Sequence, residues 1–152
     1  MKVRLSFAGI ILALVISACL GACQRPKRYV NKFEKFVERV EENKNTYSTD
    51  EWEMNDERFM EFVENYRTVN QLLSSEENKH VGHLMGRYFK ARLKSLGIPG
   101  VIKKALGWFN CLTGFVSEVK ALDIKQGFVD EIMDIVEEYP LVKFFISELL
   151  QK

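Results

Sequence analysis

The sequence predicts an all-α fold, a small antiparallel helical bundle of four to five helices that follows a separate N-terminal segment. Apolar residues recur at three- and four-residue spacing along most of the chain, and no stretch alternates apolar and polar with period two. No Asn-Gly or Asp-Gly pair offers a hairpin turn, and two Ser-x-x-Glu strings have the form of helix capping boxes. With 47% hydrophobic residues, 28% charged and 3 Pro in 152, the chain is too apolar and too unbroken for a disordered tail.

The first helix of the bundle starts near Tyr29. Tyr29, Val30, Phe33, Phe36, Val37 and Val40 share about a third of a helical wheel, and Lys32, Glu34, Lys35, Glu38 and Arg39 cover the rest. Asn43-Lys44-Asn45 ends it. Ser48-Thr49-Asp50-Glu51 caps the second helix, whose apolar side carries Trp52, Phe59, Phe62, Val63, Tyr66, Val69 and Leu73. Ser74-Ser75-Glu76-Glu77 repeats the start signal. The third helix turns Val81, Leu84, Met85, Tyr88, Phe89 and Leu96 inward and stops at Gly97, with Pro99 just beyond.

A fourth helix is expected over residues 101–122, with Val101, Ala105, Trp108, Leu112, Phe115, Val116 and Val119 as its stripe. Residues 123–127 then form a loop, and a last helix starts at Phe128 with Ile132, Ile135, Val136 and Tyr139 on one face. Pro140 kinks or breaks that helix, because it lacks an N–H to donate. Residues 141–150 are apolar nearly all round. The connections are short, so consecutive helices pack antiparallel.

Ahead of the bundle lies an address. Met1-Lys2-Val3-Arg4 carries two positive charges, and residues 5–22 carry none, the charged and apolar regions of an export signal. The run is long enough to thread a bilayer of roughly 30 Å, so an uncleaved anchor is the alternative. Its end favours cleavage: Leu20-Gly21-Ala22-Cys23 has the form of a bacterial lipobox, in which the thiol is acylated and becomes the new N-terminus. Ile16-Ser17-Ala18-Cys19 also fits, which makes Cys19 the rival of Cys23. The chain divides accordingly into a signal peptide at 1–22, a basic tether at 23–28 containing Arg25-Pro26-Lys27-Arg28, and a helical domain at 29–152.

Several residues carry a resemblance. Tyr29, Phe33 and Phe36-Val37, then Tyr47-Ser48, Asp50-Glu51-Trp52 and Phe59, then Ser75-Glu76-Glu77, Gly82, Leu84 and Gly86-Arg87-Tyr88 occur in order. This string resembles a family of small helical lipoproteins of unknown function from Bacteroidota-type bacteria. The likeness runs from about residue 29 to 96, with the lipobox before it, and the second half here is longer and more apolar. It implies a helical fold and an envelope location, and it carries over no catalytic residue.

Composition and motifs narrow the function classes. Lys+Arg 22 against Asp+Glu 21 gives +1, which leaves no strong field to recruit nucleic acid. Three Cys cannot all pair in a disulfide framework. Glu76, His80 and His83 share a helix face, but three ligands from one exposed helix make a poorly supported zinc site, and no metal site is expected. Cys111 reads as a small half-buried hydrophobe, not as a catalytic thiol, since both His fall on another helix. Gly82 and Gly86 each cost about 1 kcal/mol relative to Ala inside a helix. They mark a notch for close approach by another helix or by a ring such as Trp52.

No catalytic residues and no cofactor are expected. The favoured reading is a non-enzymatic, lipid-anchored envelope protein, on the outer membrane and facing the periplasm. It would bind an envelope protein or a second copy through Leu141, Phe144 and Phe145, and no nucleic acid. The alternative is a carrier or sensor of an amphiphilic small molecule lined by Trp108, Phe109 and Phe115. An exposed apolar patch favours the first and an empty apolar cavity the second.

Overall fold

A computed structural model of the protein describes residues 7–114, 117–136 and 139–151, and among them all regular structure is helical. The order is α1 (Phe7–Asn43), α2 (Thr49–Val69), a 3₁₀ turn at Asn70–Leu72, α3 (Ser75–Thr113), α4 (Glu118–Val136) and α5 (Pro140–Gln151).

Both capping boxes form. Ser48 N donates to Glu51 Oε2 at 2.7 Å while Glu51 N donates to Ser48 Oγ at 3.3 Å. Ser74 and Glu77 repeat the exchange at 2.9 and 3.2 Å. Each box supplies acceptors for amides that the first helical turn leaves unpaired.

Gly97 divides α3 into two limbs. Its φ of 68° and ψ of 167° lie where only glycine is comfortable, and the second limb restarts with Pro99 in its first turn, where the missing N–H costs nothing. The second limb folds back on the first: Tyr88 meets Trp108 at 5.8 Å between ring centroids, while Arg92 and Lys104 converge on Asp56. The stop expected at Gly97 is therefore a hairpin between helical limbs.

Consecutive segments run antiparallel, and every second one consequently runs parallel. Tyr29 and Phe33 of α1 pair with Phe62 of α2, whereas Glu34 and Glu41 of α1 reach His80 and Arg87 of α3 in the same order along both helices. Rings fill the interior from end to end. Phe33 stacks on Phe62 at 4.8 Å, Phe59 on Tyr88 at 4.2 Å, and Phe109 meets Phe128 edge-on at 4.9 Å. Offset and edge-on pairs of this kind add about 0.5–1.5 kcal/mol each to the burial of the rings.

The second half departs from the sequence expectation in where its helices begin and end. Residues 123–127 are not a loop; they lie inside α4, which starts at Glu118, and the preceding helix ends earlier than expected, at Thr113 with Gly114 as its cap. The polar string that looked like a turn faces α3: Ser75 Oγ donates to Asp123 Oδ2 at 2.9 Å, and Gly127 sits against the α3 backbone. Val119, placed in the apolar stripe, is exposed as a result. Phe115 and Val116 lie outside the described residues. Pro140 opens α5 at its first position.

Candidate functional site

Three glycines bring α3 and α4 into backbone contact. A Cβ on Gly82 would overlap the carbonyl oxygen of Ile124 and stand 2.8 Å from Phe128 N. One on Gly127 would overlap the carbonyl oxygen of Lys79 and stand 3.1 Å from His83 N. At Gly86 it would meet Glu131 Cβ at 2.7 Å. The notch expected at Gly82 and Gly86 is thus filled by α4. Trp52 is not its occupant: that ring packs on Tyr47 and Tyr88 and under the Arg92 guanidinium. Gly127, read as a loop residue, is the third member of the seam. Ion pairs flank it, with Lys79 on Asp130 at 2.8 Å and Lys90 on Glu131 at 2.7 Å.

The two His diverge. His80 Nε2 lies 3.6 Å from Glu34 of α1, and His83 Nδ1 lies 3.5 Å from Glu131 of α4. They address different helices, and Glu76 joins neither pair. Among the described residues no three His, Cys, Asp or Glu converge as ligands. Cys111 is half-buried against the core. Trp108 and Phe109 are packed into the aromatic interior against Phe59, Tyr88 and Phe128; Phe115 lies outside the described residues.

Sequence reading missed a buried charge cluster. Asp56 receives Arg92 Nε and Nη2 at 3.2 and 2.9 Å, Lys104 Nζ at 2.9 Å and the Tyr88 hydroxyl at 2.8 Å. Burial pushes the Asp56 carboxyl up, but the hydrogen bonds from Arg92, Lys104 and Tyr88 outweigh it and hold the group below its usual range. Arg92 is itself only 5% exposed. The signal was present: Asp56 lies four residues after Trp52 and three before Phe59, and Arg92 four after Tyr88, so each charge occupies a core position. The cluster ties α2 to both limbs of α3.

On α5 the tail divides by face. Val142, Phe145, Ile146 and Leu149 are buried, the i, i+3, i+4, i+7 stripe of an amphipathic helix. Phe145, placed on the candidate surface with Leu141 and Phe144, is only 3% exposed and packs on Phe89 and Phe128. The expectation is corrected for that residue because Phe145 falls 60° from Val142 on the wheel, inside the stripe. Leu141 and Phe144 stay outside at 53% and 64% exposure, one turn apart on the same face.

Cys19 and Cys23 fall on the course of α1, but their side chains lie outside those described. Among the described residues no helix is long and apolar enough to cross a membrane.

The match that decides the family spans residues 40–147, from the end of α1 to the last turns of α5. The chain belongs to the family described as Domain of unknown function (DUF6565). The DUF6565 span takes in both limbs of α3, the glycine seam, the Asp56 cluster and the exposed pair on α5; the Leu20-Gly21-Ala22-Cys23 string precedes it. An uncharacterised helical family was what the resemblance implied at its coarsest. No curated protein and no solved structure matches the chain.

Proposed function

We propose that this DUF6565 protein is a non-enzymatic lipoprotein of the bacterial envelope, anchored in the outer membrane through Cys23 and facing the periplasm. Its helical bundle holds out one face of α5 to an envelope protein or to a second copy. The observation that carries the reading is the exposed pair Leu141 and Phe144, displayed by a helix whose opposite face is locked into the core. Large apolar groups adjacent on a rigid surface are the anchors that protein interfaces use.

The choice of Cys23 over Cys19 rests on Pro26. Inside a helix, proline removes one hydrogen bond and its ring clashes with the carbonyl four residues earlier, here that of Ala22. Cleavage before Cys23 discards Ala22 and leaves Pro26 among the first four residues, whose amides have no helical partner in any case. Cleavage before Cys19 would keep both defects. Mass spectrometry of the mature N-terminal peptide is expected to show an acylated Cys23. An acylated Cys19, or a chain that still begins at Met1, would contradict the assignment.

For the surface, Leu141→Glu combined with Phe144→Glu is expected to leave the melting temperature within about 2 °C of the parent, since exposed substitutions usually stay within ±0.5 kcal/mol. The same double change should abolish capture of the partner or dimer when the intact protein is drawn from its native membrane. Phe145→Glu should instead unfold much of the population. A parent that recovers the same proteins as the double variant, and is monomeric, overturns the reading.

A further inference from the structure

The middle of α1 and the second half of α2 enclose an open cleft of about 330 Å³, at the low end of the range of small-ligand sites. Arg25, Arg28 and Lys32 edge it from α1, and Arg58 from α2. The three α1 cations stand at i, i+3 and i+7, on one face. Tyr29 and Phe62 form the floor, and the Tyr29 hydroxyl is turned inward, donating to the Phe62 carbonyl at 3.0 Å. Glu61 is the carboxylate at the rim, and it is engaged by Arg58, whose guanidinium lies 5.6 Å over the Phe62 ring. Neither Arg25 nor Lys32 has an ion-pair partner among the described residues. A chain with an overall charge of only +1 thus concentrates a surplus of three positive charges around one small apolar-floored opening.

We propose that this cleft binds the phosphate headgroup of an anionic phospholipid and so seats the bundle against its bilayer. The proposal rests on the lipid anchor at Cys23. At 1.5 Å per helical residue, Arg25, Arg28 and Lys32 stand about 3, 8 and 14 Å beyond that cysteine along α1. Acyl chains on Cys23 hold that stretch of α1 at the headgroup layer, so Arg25 and Arg28 lie within about one physiological Debye length, about 8 Å, of lipid phosphates, and Lys32 within about two. An arginine fork offers a phosphate two parallel donors, and the ring floor offers the glycerol carbons an apolar seat. A free anion would have no use for that floor.

The test uses the full protein purified from membranes in a neutral detergent. Native mass spectrometry and thermal unfolding follow titration with dioctanoyl phosphatidylglycerol, dioctanoyl phosphatidylcholine or inorganic phosphate. One phosphatidylglycerol per chain should be retained at least tenfold better than phosphatidylcholine, with a higher melting temperature. Arg25→Glu with Lys32→Glu should lose that preference at least tenfold, yet melt with the parent when lipid is absent. The same charge change at exposed sites elsewhere, Lys103→Glu with Lys143→Glu, should keep it. Equal retention of both lipids, equal loss in both double variants, or equal protection by inorganic phosphate overturns the proposal. The N-terminal peptide is weighed on the same samples. An unacylated chain that still selects phosphatidylglycerol removes the anchor and leaves the cleft, whereas an acylated chain without selectivity removes the cleft alone.

Discussion

Gly82→Ala and Gly127→Ala are each expected to destabilise the bundle by about 3 kcal/mol, the upper part of the usual overpacking range. The added methyl meets backbone, not a side chain that can rotate away: the Ile124 carbonyl in one case and the Lys79 carbonyl in the other. Helices α3 and α4 must move apart, and the aromatic contacts behind them, Phe89 with Phe128 and Phe109 with Phe128, open together. Alanine returns about 1 kcal/mol of helix propensity, too little to compensate. Gly86→Ala is the internal comparison. Its methyl meets the Glu131 side chain at 2.7 and 2.8 Å and a backbone oxygen only at 3.1 Å, so propensity should offset much of the clash. Gly86→Leu, with three more carbons to place, should be destabilising by about 1–3 kcal/mol. Urea denaturation of the four variants checks the ranking. If the alanine variants at Gly82 and Gly127 are as stable as the parent, the two backbones are not in contact.

Asp56→Ala should cost about 3–5 kcal/mol, the loss expected when one partner of a buried ion pair is removed and the other charge stays. Arg92 would keep its cation over the Trp52 ring, 4.6 Å from the centroid, but would lose its carboxylate. The effect carries a pH signature. The folded Asp56 carboxyl titrates below its unfolded value of about 3.9, so its contribution is complete above that pH and is lost as pH falls through the lower folded value. The parent should therefore weaken below about pH 4 more steeply than Asp56→Ala. Melting curves between pH 2 and 7 decide it, and parallel profiles for the two proteins would show that the cluster contributes nothing to acid stability.

The bundle was legible wherever helix chemistry is local. Ser48 with Glu51, Ser74 with Glu77 and Gly97 before Pro99 act within one turn, so their consequences can be read from a few letters. The misreading of residues 123–127 has the opposite cause. Asp123 and Gly127 are turn formers in isolation, and only α3, some 45 residues away in the chain, makes them helical by meeting one with Ser75 and the other with bare backbone. Phe145 was misplaced for a related reason: a helix apolar on most sides shows which residues want burial but not how much interior is left for them. The Asp56 cluster lay in plain view as charges on apolar stripes. Its geometry depends on three segments meeting at once, which no single window of sequence contains.

The glycine seam also sets an order of assembly. Taken alone, the first limb of α3 is a weak helix, because Gly82 and Gly86 together remove about 2 kcal/mol of propensity. What makes them favourable is α4, whose Gly127 lies 41 residues beyond Gly86 in the chain. Until α4 docks, the limb has its aromatic face against α1 and α2 and nothing over its glycines. Docking of α4 is consequently a late step, and seam substitutions should raise the unfolding rate far more than they slow folding.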